Sequence, residues 1–223
     1  MSQHNIIEKH NLIKSQNLFI MSRISKDMLT HDIQTFHGLF KSNKITGGYL
    51  EELMYRSIDI DPDYNGKVIW NSGSHAPGSD IVIYNDTNKK DKLISISVKS
   101  GTVTNNFIEI SGNRLSQCNS DMNCINGLLK KYISDVLIAC SYNSESGLYN
   151  IIYIDRSIFN YPENGSGWIP KIGLKTGKIS KYEYEQNGII SSITPSMSWQ
   201  VWWKIPLCLC RIGLSISIDG RKF

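Results

Sequence analysis

At 223 residues, with 40% apolar and 20% charged residues, the chain can bury one core of its own and lacks the bias of a disordered or fibrous sequence. A formal net charge of +4 suits a nucleic-acid partner but is too mild to require one. Five cysteines, odd in number and without CxxC spacing, argue against a disulfide scaffold or a zinc site and for a reduced interior. No apolar run approaches membrane-spanning length, and the first residues lack the charged-then-apolar pattern of a signal peptide, so the expectation is a cytoplasmic protein with no membrane partner.

In chain order, Met28, Leu29, Ile33, Phe36, Leu39 and Phe40 recur at spacings near three and four, which predicts an amphipathic helix capped by Asp27 in an N-terminal helical region over 1–43. His31 and His37 on it have no partner motif and read as structural. A second helix is predicted from Thr46 and Gly47-Gly48, with Leu50, Leu53, Met54 and Ile58 as its apolar stripe. Asp59, Asp61 and Asp63 alternate like a calcium loop but lack its glycine and closing glutamate, so they read as a solvated turn before a strand over Lys67 to Trp70.

The most informative stretch is Ser72 to Gly112. Ile81 to Tyr84 and Leu93 to Val98 are apolar runs separated by a polar turn, which predicts a hairpin with Asp80 opposite Ser97. The period of two sends Ile94, Ile96 and Val98 to one face, and Ser95, Ser97 and Lys99 to the other. A carboxylate, a hydroxyl and an amine on one face suit metal-assisted phosphodiester hydrolysis: the carboxylate holds a hard cation such as Mg2+, and the ammonium orients water or stabilises charge on phosphorus.

A third strand follows at Phe107 to Ile110, carrying Glu109. Ser111 to Arg114 then reads as the cap of a helix running to about Ile133, whose first turn would offer Asn113, Arg114 and Gln117 to phosphates or base edges. Val136 to Cys140 and Tyr149 to Ile154 are two further strands. Beyond Phe159 the chain is rich in glycine and proline. Lys171, Lys175, Lys178 and Lys181 there either follow a DNA backbone or make a solvated face, and Trp199, Trp202 and Trp203 read as core or interface.

Asp80 and Ser97-Val98-Lys99 resemble the PD-(D/E)xK nuclease core of type II restriction endonucleases. Asp80 stands as the motif aspartate and the S-x-K run stands for (D/E)-x-K. Two departures are visible: Gly78-Ser79 separate Pro77 from Asp80, and Ser97 replaces the usual acid. The resemblance covers roughly 45–155. It implies an α/β (α+β) fold with a restriction-endonuclease-like αβββαβ core, a central mixed sheet flanked by helices, in a single nuclease domain over 1–223. The core would span 44–155, with an N-terminal helical extension over 1–43 and a C-terminal loop/strand extension over 156–223 for DNA contact or dimerisation.

It further implies Mg2+ held by Asp80 and one glutamate, either Glu51 (or Glu52 in a shifted register) from the second helix or Glu109. Lys99 would act on the attacking water. The catalytic set is Asp80, Lys99, Glu51, Ser97 and Glu109, and the DNA-contact set Asn113, Arg114, Gln117 and His75. The implied activity is site-specific cleavage of double-stranded DNA by a homodimer. The alternatives are a structure-specific repair or junction nuclease, and a non-catalytic DNA-binding protein on a decayed nuclease scaffold.

Overall fold

The computed structural model describes residues 19–40, 44–71, 78–118, 121–163 and 165–218. His75 and Pro77 lie outside them. The elements, in order, are α1 (Arg23–Leu39), α2 (Gly47–Asp59), β1 (Val68–Trp70), β2 (Ile81–Tyr84), β3 (Lys92–Thr104), β4 (Phe107–Arg114), α3 (Met122–Tyr132), β5 (Val136–Asn143) and β6 (Leu148–Asp155), then β7 (Ile169–Ile172), β8 (Ile179–Gln186), β9 (Ile189–Thr194), β10 (Gln200–Pro206) and β11 (Arg211–Ser217).

All the strands join one mixed sheet, ordered β11-β6-β5-β3-β4-β10-β9-β8-β7, with β2 on β3 and β1 on β2. The pair β3–β5 is parallel, Ile96 to Gly101 lying beside Val136 to Ser141, and α3 is contained in the connection between them. The other paired strands are antiparallel. Asn105 and Asn106, at φ 50° and 64°, make the two-residue turn that lets β4 return along β3.

Strand alternation divides the core between the two faces of this sheet. Leu29 and Ile33 of α1 and Leu50, Met54 and Ile58 of α2 pack on Ile81, Ile83, Ile94, Ile96 and Val98. On the other face, Ile125 and Leu129 of α3 pack with Leu137, Ala139, Ile108, Ile110, Val201, Trp203 and Ile205. α2 follows its predicted apolar stripe, whereas in α1 Leu29, Ile33 and Phe36 face the core but Leu39 and Phe40 are 74% and 53% exposed and His37 is buried instead. The cap of α1 is Ser22, whose hydroxyl accepts from the Ser25 amide, while Asp27 sits inside the helix 3.7 Å from Arg23.

Four expectations need correction. Asp61 is buried, accepting 2.9 Å from the Ser25 hydroxyl, so it ties α2 to α1 instead of lying in a solvated turn. No helix starts at Ser111: β10 pairs along β4 and extends it to Arg114, and α3 begins only after Asp121, whose side chain accepts from the Asn123 amide. Cys118 and Cys124 form a disulfide, because a 3-10 turn at Ser116–Cys118 brings their Cα atoms to 5.5 Å. The region after Phe159 contains five strands built into the sheet, and its Lys171 and Lys181 both pair with Glu183, at 3.4 and 2.6 Å. Among the described residues, no helix is long and apolar enough to cross a membrane.

Candidate active site

One edge of β3 is shared by two strands. β2 pairs with it as far as Ile81↔Ile96, and β4 takes over from Gly101↔Ile110. Between them, Ser97 to Ser100 have no strand partner on that side, and the sheet forks. One prong begins at Asp80, which the register carries to a position opposite Ser97. The other prong is the end of β4.

The fork leaves a backbone donor that a strand would otherwise satisfy, and Asp80 takes it. Its Oδ2 accepts from the Val98 amide at 2.8 Å and from Lys99 Nζ at 3.2 Å. Both side chains are largely shielded, 16% and 17% exposed. The ion pair is therefore screened less than a surface pair. The second oxygen of Asp80, Oδ1, accepts no hydrogen bond among the described residues.

Glu51 comes to this fork from the first turns of α2, half-buried and without a hydrogen-bond or ion-pair partner among the described residues. Burial pushes its carboxyl up from the ordinary range, the Asp80 charge pushes it the same way, and Lys99 partly offsets both. The fields of Asp80 and Lys99 thus both reach Glu51, and two carboxylates share a poorly hydrated corner with one ammonium. Glu52, one position on, is exposed.

Glu109 is not brought to this cluster. It is exposed and lies opposite Thr102 and Lys204, three residues past Lys99 and on the other face of β3. At about 3.3 Å per residue that is roughly 10 Å along the strand. The sequence pattern gave the face of Glu109 relative to Ile108 but not the register of β4 on β3, and the register decides the matter.

Ser97 is 3% exposed and turned inward. Its Oγ lies 2.8 Å from Ser134 Oγ, and Ser134 donates 2.9 Å to Ser79 Oγ, next to Asp80. Asp135 beside it accepts from the amide and hydroxyl of Ser95 at 2.8 and 2.6 Å and pairs with Lys92 at 3.4 Å. Burial pushes the Asp135 carboxyl up, but the Ser95 hydrogen bonds and the Lys92 charge outweigh it and hold the group below its ordinary range. Sequence reasoning missed Ser79, Ser134 and Asp135. Ser134 and Asp135 meet β3 only through the parallel β3–β5 register, 40 residues away for Asp135, and no local spacing signals that.

The β4 prong carries Asn113, half-buried, and Arg114, exposed, whose Nε donates 3.2 Å to Gln200 Oε1. Gln117 is exposed on the 3-10 turn that follows. These residues flank the fork from a strand end and a turn, not from a helix N-terminus.

Among the described residues, no group of three or more His, Cys, Asp or Glu side chains forms a metal-binding set. Mg2+ is commonly held by one or two carboxylates, with water and substrate phosphate completing its octahedron. Asp80 Oδ1 and the Glu51 carboxylate, both without a partner among the described residues, fit that donor set. In comparisons with known proteins, no family model, no curated protein and no solved structure matches this chain.

Proposed function

We propose that the protein is a Mg2+-dependent endonuclease of the type II restriction class, cutting double-stranded DNA at a specific sequence as a homodimer on a restriction-endonuclease-like core. The observation that carries this reading is the fork on β3, where Asp80 and Lys99 lie 3.2 Å apart within the field of Glu51. The order α2, β1, β2, β3, β4, α3, β5, with β5 parallel to β3, supports it as an αβββαβ arrangement to which the short β1 is added beside β2.

Mg2+ held by Asp80 and Glu51 would polarise the scissile phosphate and acidify a bound water. Asp80 has one oxygen committed to Val98 and Lys99 and the other without a partner among the described residues, so the backbone of β3 fixes the direction of the second one. Lys99 is anchored at the same oxygen and reaches the water or the charge growing on the phosphoryl oxygens. One water is consumed: its oxygen ends on phosphorus, one proton goes to the leaving sugar oxygen and the other to solvent. Asn113 and Arg114, on the opposite prong, are positioned for phosphate or base contacts. A two-fold dimer would present two such forks to the two strands of a palindromic site.

Incubating supercoiled plasmid with the protein and Mg2+, then sequencing the ends, tests the reading. Discrete fragments ending at one sequence are expected. Asp80→Ala and Lys99→Ala should each reduce cleavage by about 10²–10⁴-fold with the fold intact. Full activity in either variant rules the mechanism out, products cut only at branched structures favour a junction nuclease, and no nicking at any concentration favours a non-catalytic DNA-binding protein.

A further inference from the structure

We infer that Ser134 is a positioning residue for Asp80, acting through a buried hydroxyl chain, Ser97–Ser134–Ser79, that braces the start of β2 against β3 and the α3–β5 connection. The inference rests on the nuclease reading and adds to it what Ser97 does at the place of an acid. Ser134 donates to Ser79, so its own oxygen is left to accept the Ser97 proton, and the 2.8 and 2.9 Å separations make both bonds short and complete. Ser97 and Ser134 are 3% and 2% exposed, so neither hydroxyl has water as an alternative partner. Ser97 therefore spends its proton on Ser134.

The chain ends one residue before Asp80, on a segment whose backbone is held by Asn71, its amide donating 2.8 Å to the Asp80 carbonyl and its side chain 2.9 Å to the Ser79 carbonyl. The backbone of Asp80 is thus held by Asn71, its carboxylate by the Val98 amide, and the side chain of its neighbour Ser79 by Ser134. Ser134 is itself held by the next residue, since Asp135 is clamped to Ser95 through both backbone and side chain. Partners of this outer kind typically change cation affinity or activity by about 10–100-fold when removed.

Cleavage of supercoiled plasmid across a Mg2+ titration tests this on the native chain and on Ser134→Ala, Ser134→Thr and Ser79→Ala. Ser134→Ala and Ser79→Ala should raise the Mg2+ concentration for half-maximal rate by about tenfold while the rate at saturating Mg2+ stays within about threefold of native. Ser134→Thr, which keeps the hydroxyl, should return toward the native midpoint. A purely packing role would lower stability without moving the midpoint. If Ser134→Ala does not fold, Ser79→Ala, on a half-exposed residue, decides alone. A native midpoint in Ser79→Ala, or in a folded Ser134→Ala, overturns the bracing role and leaves the nuclease reading intact. Absence of Mg2+-dependent cleavage by the native chain removes that reading, and the bracing role with it.

Discussion

At the scale of single residues, Glu51 sits where folding disfavours its charge. An acid whose folded-state pKa lies above its unfolded value holds its proton more tightly when folded, so stability falls as pH rises through and above the ordinary glutamate range. Burial and the Asp80 charge both act in that direction. Glu51→Gln is therefore expected to raise Tm at pH 7, by about 2–4 °C per kcal/mol of relieved cost, and to match the native chain near pH 3, as thermal unfolding at the two pH values would show. Saturating Mg2+ should raise the native Tm more than that of the variant. Asp135 works the opposite way. Its depressed pKa contributes stability that is present above the ordinary aspartate range and is lost as pH falls through the folded value. Asp135→Asn should cost about 1.5–3 kcal/mol at pH 7 in urea unfolding, the range for hydrogen bonds to a charged group. The sequence alone revealed Asp80, Lys99 and Glu51 because a strand period and a helix start are local patterns. The serines behind Asp80 depend on which strand lies next to β3, and that information is spread along the chain.

At the scale of elements, hairpins and amphipathic stripes were legible, and the end of β4 was not. Ser111 to Arg114 has the small and polar residues of a helix cap, yet β10, some 86 residues away, offers a strand partner there. Gly112 matters for that pairing through size: a Cβ at this position would collide with the ring of Trp203, which packs across it and donates 2.7 Å to the Tyr161 hydroxyl. Gly112→Ala is expected to destabilise by about 1–3 kcal/mol, the usual cost of overpacking, and to lower the urea midpoint without changing the slope. Because β4 forms the second prong of the fork, the same variant should also weaken cleavage more than its loss of stability explains.

At the scale of the whole molecule, the residues after 155 are not an appendage. Ile189, Ile193, Val201, Trp203 and Ile205 are all buried in the core on the α3 face. At about 1.5–3 kcal/mol for each buried side chain, their combined contribution rivals the roughly 5–15 kcal/mol net stability of a domain. A chain ending at residue 158 is therefore expected to lack cooperative unfolding, measurable by circular dichroism in a urea titration. The sequence pointed to a loop/strand extension here but not to where its strands lie, because glycines and prolines there mark tight turns of a meander as readily as loops.

The fork on β3 also bears on the order of events during refolding. Its walls are contributed by α2, β2, β4 with β10, and the connection into β5, so it exists only after the most distant pieces of chain have found one another. Long-range pairings form slowly compared with local helices. In a stopped-flow dilution from denaturant, the helical ellipticity should recover first and the DNA cleavage proposed above last. On the proposed nuclease reading, a newly made chain would thus be harmless to nucleic acid until its assembly is finished.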